Sequence, residues 1–342
     1  MTTHAITIIG DHFMLPQMFR EAIDEACDQP PPMVLHTLDW PDRPMEFGMA
    51  GLREYQGSEE DTLELIGDAD ILVTHLAPLS RAMLEKLPKL KFIAVSRGGP
   101  VNIDMEAARE YGVTVVNTPG RNASAVAEFT IGAILTETRM ITRGHDALRA
   151  GEWRGDLYRA DMTGRELSEM TVGVIGYGEI GSRVVKLLKA FGCRILVADP
   201  YVQISADDLN AGIEHVSIET LLDEADVVTL HSRVTPETTG FMNAEAFARM
   251  KPGATFVNTA RGPMVDYDAL TEALRSNHLR GAMLETFAVE PVPLDWPLLK
   301  LPNVTLTPHI AGASVKTVTI AATRAAEEVR RYLAGEPPLN PC

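Results

Sequence analysis

Gly176, Gly178 and Gly181 stand in the spacing G-x-G-x-x-G, and the chemistry such a spacing serves is the holding of a pyrophosphate. The first glycine permits a tight turn. The second lets the backbone approach the phosphates, and the third lets helix and strand pack closely. Asp199 follows Gly181 by 18 residues, where a carboxylate can accept a hydrogen bond from a ribose 2′-OH. A second set is formed by His231, Arg261, Glu285 and His309, each closing a different short apolar run. Glu290 lies a few residues past Glu285, in a loop closed by Pro291 and Pro293. These types match the needs of hydride exchange with a 2-oxo acid. A planar guanidinium holds a carboxylate and polarises a carbonyl with paired N–H donors. An imidazole, with an ordinary pKa of about 6.5, can deliver and withdraw a proton. A carboxylate beside that imidazole stabilises its protonated form and fixes its tautomer.

The elements that would position these residues can be read from periodicity. Residues 171–175 are a short apolar run, as a buried parallel strand requires. After the glycines, Val184, Leu187, Leu188 and Phe191 fall at i, i+3, i+4 and i+7, which predicts a helix. Gly192 stops it, and residues 194–198 form a second strand ending in Asp199. The whole of 171–200 is one βαβ unit, with free N–H groups at the helix start facing the expected dinucleotide. Before it, strands are predicted over 5–9, 33–38, 71–74, 90–95 and 113–116, with helices over 16–26, 81–87 and 105–110. Residues 41–58 are rich in Pro, Gly and Met and read as an irregular surface segment. After the unit, strands are predicted over 226–230, 254–258, 281–284 and 304–306, with helices over 245–250, 267–276 and 315–333. Residues 335–342 read as a tail. Such alternation predicts an α/β protein with parallel sheets covered on both faces. Ligands of open α/β sheets bind outside the carboxyl ends of the strands, where the polar set lies. Residues 124–148 predict one long helix with Ser124 as its N-cap. Its apolar residues surround much of its circumference, so it is buried either between domains or partly against a second subunit.

The chain has 342 residues, enough for two domains. It is 45% hydrophobic and 23% charged, an ordinary globular composition. Its net charge of −16 argues against nucleic acid or an anionic membrane as partner. Cys27, Cys193 and Cys342 are odd in number and widely spaced, so neither a disulfide framework nor a zinc site is indicated, and no metal is expected. The first residues lack the pattern of a signal peptide, and no apolar run reaches membrane-spanning length, so a reduced cytoplasm is expected.

The blocks VNTARGPMVDYDAL, AVEP and TPHIAGAS resemble the signatures of the D-isomer-specific 2-hydroxyacid dehydrogenases. That family includes phosphoglycerate, hydroxypyruvate/glyoxylate and D-lactate dehydrogenases. LVTHL, LKFIAVSRGG, VNID, GVTVVNTPGRNASAVAE and LHSRVTPETTG match its other blocks, so the resemblance spans nearly the whole chain. It implies two doubly wound parallel-sheet domains, with a Rossmann nucleotide-binding domain (121–314) inserted into a flavodoxin-like substrate domain (1–120 plus 315–342). The last helix then returns to the first domain. It implies NAD(H) as cofactor, a small 2-oxo or 2-hydroxy acid as substrate, and a homodimer. It implies Arg261 as binder of the substrate carboxylate, Glu290 as partner of the catalytic histidine, and His309 as acid/base. Cofactor contacts are implied from Gly176, Gly178, Glu179, Ile180, Gly181, Asp199, His231, Thr259, Ala260, Glu285, His309 and Gly312.

The chain departs from the family pattern at three places. Glu285 stands where Asp is usual, and Arg233 where Pro is usual. Arg97-Gly98-Gly99-Pro100-Val101-Asn102 replaces the usual carboxylate loop. Gly98 and Gly99 can still offer N–H groups to a carboxylate. Arg97 is either a surface charge or the partner of a second polar or anionic group on the substrate. Two other functions are compatible with the motifs: an NADH-sensing, corepressor-like binding protein, and a formate- or phosphite-type dehydrogenase. Formate enzymes of this family usually have Gln where Glu290 stands.

Overall fold

The computed structural model describes residues 4–40 and 51–342, together with the backbone of Glu46 and Phe47. The chain divides into two compact units, residues 1–122 with 313–342 and residues 123–312.

The first unit is built on strands β1 (Ile6–Gly10), β2 (Met33–Thr37), β5 (Ile71–Thr74), β6 (Phe92–Val95) and β7 (Thr114–Val116). They form a parallel sheet of order β2-β1-β5-β6-β7. β1, β5 and β6 are buried along their whole length, which explains their unbroken apolar runs. The order reverses between β1 and β5, so the carboxyl ends of those two strands flank the topological switch point. The helix Val315–Leu333 packs in this unit against the helix Pro16–Ala26. Its small face, Ala321, Ala322, Ala325 and Ala326, lies in one cluster with Phe19, Ile23 and Phe92. Alanine at those positions lets two helices approach closely. Residues 335–342 are not a free tail. Buried Glu328 accepts from the N–H groups of Leu339 (3.0 Å) and Asn340 (2.8 Å), and Pro341 bridges to Val116. The terminus so covers the edge strand β7.

The stretch 41–58, read as irregular, lies outside the described residues at 41–45 and 48–50. Within it, β3 (Glu46–Phe47) pairs antiparallel with β4 (Arg53–Tyr55). Three helices escaped the sequence reading: Glu59–Ile66, Ala206–Asn210 and Ile218–Glu224. Each is short and starts at a serine whose hydroxyl caps it, Ser58, Ser205 or Ser217. Those serines were the available signal.

The second unit carries β8 (Thr171–Ile175), β9 (Arg194–Ala198), β10 (Glu214–His215), β11 (Val227–Leu230), β12 (Ala254–Asn258), β13 (Leu279–Leu284) and β14 (Val304–Leu306). They form a wholly parallel sheet of order β10-β9-β8-β11-β12-β13-β14, whose switch point falls between β8 and β11. The predicted helix over 124–148 is two helices, Ala123–Thr138 and Ile141–Arg149. The break is at Met140, whose φ of 55° is left-handed. No glycine or proline marks it, and Ser124 lies inside the first turn rather than at a cap. Tertiary bonds hold the broken geometry. Buried Glu137 accepts from Arg143 (2.7 Å) across the break and from the Thr305 hydroxyl of β14. A Cβ at Gly281 would collide with both Arg143 and Glu137, so β13 has glycine there. No helix among the described residues is long and apolar enough to cross a membrane.

Glu137 is 2% exposed, so its removal strands the Arg143 charge and the Thr305 hydroxyl. Glu137→Ala should lower unfolding free energy by about 3 kcal/mol, and Glu137→Gln by less. Urea denaturation measures this. A loss below about 1 kcal/mol, the worth of a surface bridge, would contradict it.

Candidate active site

The glycine turn sits at the switch point of the second unit. Gly176 has φ of 96°, and a Cβ there would strike the backbone of His231 and Ser232 after β11. A Cβ at Gly181 would strike the Gly176 carbonyl, so the helix Gly181–Leu188 can close on β8 only through glycine. Gly178 has open space where its Cβ would be. The spacing thus contains two glycines that the fold needs and one that it does not. That is the condition for a pyrophosphate to approach the backbone, with the helix N–H groups behind.

The rest of the turn is fixed by side chains. The Tyr177 hydroxyl donates to Asp208, which Lys189 also holds (2.9 Å). Asp199 accepts from the N–H groups of Tyr177 (2.7 Å), Tyr201 (2.8 Å) and Val202 (2.9 Å). Partial burial would raise the Asp199 carboxyl, but those three donors hold it below the ordinary range. It is therefore a fixed negative charge at the end of β9. Glu179 is exposed and pairs with Arg183 (2.7 Å), and Ile180 begins the helix. His231 is pushed down by burial to about 3 and is neutral. Its Nε2 meets the Thr229 hydroxyl (3.0 Å), while buried Nδ1 has no partner among the described residues, an orphan at the same turn. Arg233 is exposed beyond it.

The second cluster comes from the loops after β12, β13 and β14. Asn258 ends β12 and shapes the next loop: its side chain accepts from Ala260 N–H (3.0 Å) and donates to the Arg261 carbonyl (3.1 Å). The Thr259 hydroxyl is tied to Thr130 (2.7 Å), and exposed Arg261 donates to the Ala260 carbonyl (2.7 Å). A Cβ at Gly262 would run into the Phe287 backbone, so that glycine lets the Arg261 loop meet the Glu290 loop. Glu290 precedes a cis proline bond. It accepts from Phe287 N–H (2.8 Å) and meets His309 Nδ1 at 2.8 Å. Burial would raise the Glu290 carboxyl, but His309, Phe287 N–H and nearby Arg261 hold it low, so it is ionised beside the imidazole. His309 has φ of 55° and an exposed side chain, and its Nε2 has no partner among the described residues.

Glu285, expected among the cofactor contacts, lies at the end of β13. It is fully buried, and its two oxygens accept from the Thr307 hydroxyl and the Ala311 N–H, on either side of His309. Burial pushes its carboxyl up, against those two donors. One carbon longer than aspartate, it reaches into the turn that carries His309. The roles of Asn258, Gly262, Tyr177 and Thr307 were not legible in the sequence. Of these, only the glycine after Arg261 gave a signal.

Arg97, Gly98 and Gly99 lie in the first unit, at the end of β6. Arg97 is paired with the Glu54 carboxylate and donates to the Glu54 carbonyl (3.2 Å). Gly98 and Gly99 have open space where a Cβ would stand, and their N–H groups meet no acceptor among the described residues. Gly312 closes the second unit just past the Ala311 turn. Among the described residues no group of three or more His, Cys, Asp or Glu is placed to hold a metal.

A family model described as "D-isomer specific 2-hydroxyacid dehydrogenase, NAD binding domain" matches residues 131–311. The chain belongs to this family. Residues 131–311 are its NAD-binding domain, and the open Gly178, the fixed Asp199 and the orphaned His231 nitrogen suit that cofactor. The chain is similar to a D-3-phosphoglycerate dehydrogenase of Methanocaldococcus jannaschii, 42% identical over 82% of this chain and 52% of that protein. It is also similar to a glyoxylate reductase of Thermofilum pendens, 35% identical over 95% of this chain and 91% of that protein. It spans about half the length of the phosphoglycerate dehydrogenases it matches. Among solved structures, a D-2-hydroxyisocaproate dehydrogenase superposes with a TM-score of 0.82 at 28% identity, covering 98% of this chain and 99% of that one.

The family's glycine turn gives a paired test. Gly178→Ala should leave the melting temperature unchanged and weaken NADH binding, because its Cβ stands only in the way of the cofactor. Gly181→Ala should destabilise the fold by about 1–3 kcal/mol through overpacking. Thermal melts and NADH fluorescence titrations check both. Equal destabilisation by the two would refute the division. For Glu285, the Gln variant should remain stable, since an amide can accept from Ala311 and donate to Thr307. Glu285→Ala should cost about 1–3 kcal/mol for the buried partners it abandons.

Proposed function

We propose that this protein is an NAD-dependent D-2-hydroxyacid dehydrogenase, acting reversibly between a 2-oxo acid and its 2-hydroxy acid. The observation that carries the reading is the His309–Glu290 pair at 2.8 Å, with Glu290 ionised and Arg261 near it. Bound NADH supplies the hydride. The chain supplies the rest. Arg261 holds the substrate carboxylate, and Gly98 and Gly99 offer it N–H groups. His309 Nε2, the unoccupied nitrogen, protonates the C2 oxygen as the carbonyl is reduced and takes the proton back in the reverse direction. Glu290 accepts from Nδ1–H and stabilises the imidazolium. The Glu285 bonds to Thr307 and Ala311 hold the turn that presents this histidine. Cofactor contacts come from Gly176, Gly178, Glu179, Ile180, Gly181, Asp199, His231, Thr259, Ala260, Glu285, His309 and Gly312. The formate-type and corepressor-like alternatives gain no support from the relatives described above.

Two further parts of the reading concern assembly and location. The segment 141–158 exposes Ile141 (55%), Leu148 (60%), Trp153 (82%) and Tyr158 (93%), an apolar surface that suits a twofold homodimer. A cytoplasmic location fits three cysteines that are all free.

With the best 2-oxo acid and NADH, His309→Ala should lower kcat by about 10²–10⁴, and Arg261→Ala should raise KM as well. Near wild-type turnover by the histidine variant would remove the assignment. Asp199 should give NADH a higher kcat/KM than NADPH, because its fixed charge repels a 2′-phosphate. Asp199→Ala should narrow that gap, and a wild-type preference for NADPH would overturn the reading. Light scattering should give about twice the 37.3 kDa chain mass.

A further inference from the structure

The first unit has its own polar constellation at its own switch point. Asp11 follows β1 and His75 follows β5, the two strands between which the sheet order reverses. Asp11 is fully buried and accepts from Phe13 N–H and Met14 N–H, both at 2.8 Å, and from His75 Nδ1 at 2.7 Å. His75 is 4% exposed. Its Nε2 lies 3.2 Å from an Arg121 guanidinium nitrogen. Arginine can only donate, so Nε2 accepts, the proton is on Nδ1, and His75 is neutral. Burial, against the pull of Asp11, agrees by pushing His75 down to about 4. The chain of bonds therefore has one orientation: carboxylate, neutral imidazole, guanidinium.

A neutral histidine so placed is a poor acid or base near neutrality. What it does is aim Arg121. That guanidinium also lies 5.7 Å from the centre of the Phe13 ring and near the Met14 sulfur (3.8 Å). It forms no ion pair among the described residues, although burial lowers it to about 10 and leaves it charged. Arg97, the neighbouring cation, is engaged with Glu54. Asp11 opposes the Arg121 charge only through the intervening imidazole, and Arg97 adds a like charge, so an arriving anion would gain a direct partner in a partly buried guanidinium. Next to Arg97, Gly98 and Gly99 have N–H groups that meet no acceptor among the described residues. Open α/β sheets bind ligands at this location.

We propose that Arg121, aimed by Asp11 and His75, binds a second anionic group of the substrate, a carboxylate or a phosphate. The inference rests on the dehydrogenase reading and narrows its substrate class to 2-oxo acids with a distal anion. Arg121, rather than Arg97, is then the specificity determinant.

The test compares pyruvate, 2-oxoglutarate and phosphohydroxypyruvate with NADH, for the wild type, Arg121→Gln, Arg121→Lys and His75→Ala. The wild type should prefer one of the two acids with a distal anion, and which one identifies the anion. Arg121→Gln should lower kcat/KM on that acid about ten- to a hundredfold, the worth of a charge-assisted hydrogen bond, and leave pyruvate unchanged. His75→Ala should give a smaller loss with the same selectivity. If Arg121→Gln does not fold, Arg121→Lys, which keeps the charge but not the fork of donors, should show a smaller loss confined to the same acid. An equal loss on pyruvate, or no loss on any acid, overturns the inference. Calorimetric titration of the two acids with a distal anion into the NADH-loaded protein separates this result from the underlying function. Arg121-dependent binding without turnover would sustain the site and defeat the dehydrogenase reading, and no binding in the wild type would defeat the site.

Discussion

The turn that carries His309 depends on one buried carboxylate. Glu285 leaves the end of β13 and gives one oxygen to the Thr307 hydroxyl and the other to the Ala311 N–H. Its own carbonyl accepts from His309 N–H at 3.0 Å. His309 stands between these anchors in a left-handed conformation that a residue with a side chain rarely adopts. Strain of that kind persists only where its surroundings over-determine it. Two strands and a fully buried acid do so here. Glu290 then needs only to meet an imidazole whose backbone is already fixed, and it does so while tied to Phe287 N–H. The Glu290–His309 contact is thus the outermost layer of a frame set by β13 and β14.

The same logic of strand ends recurs in the first unit with different chemistry. Asp11–His75 and Glu290–His309 are both carboxylate–imidazole pairs at Nδ1, with distances of 2.7 and 2.8 Å. Their environments set them apart. His75 is buried with arginine on its far nitrogen, so it stays neutral and orients a cation. His309 is exposed, its far nitrogen meets no partner among the described residues, and it can exchange protons with what binds there. The residue pair does not decide the role. The third partner and access to water decide it.

The arginines show how tertiary placement sorts residues that the sequence treats alike. Arg97 lies just past β6, beside Gly98 and Gly99. Its charge is answered by Glu54, which reaches it from β4 of a small hairpin. Arg121 follows a Pro-Gly turn inside one of the family blocks, where the sequence assigns it no role. Only the fold brings the Asp11–His75 pair, from two neighbouring strands far apart in sequence, behind its guanidinium.

Much of this protein is legible in its sequence because the signals are local. A buried parallel strand must be an unbroken apolar run, and a polar residue at its end must lie on the ligand side of the sheet. That singled out the glycine turn, Asp199, Arg261 and His309 as candidates, and located the helices Pro16–Ala26 and Val315–Leu333 in full. The family motifs added the roles. What the sequence could not decide was every feature whose cause is remote. The helix break at Met140 comes from Glu137 reaching Arg143 and Thr305, not from any residue that breaks helices. The tail docks on β7 because Glu328, on another element, captures its N–H groups. Glu285 turns toward the His309 loop because two donors await it there. Periodicity records which face of an element is buried. It does not record which hydrogen-bond donor, brought from a hundred residues away, that face will find.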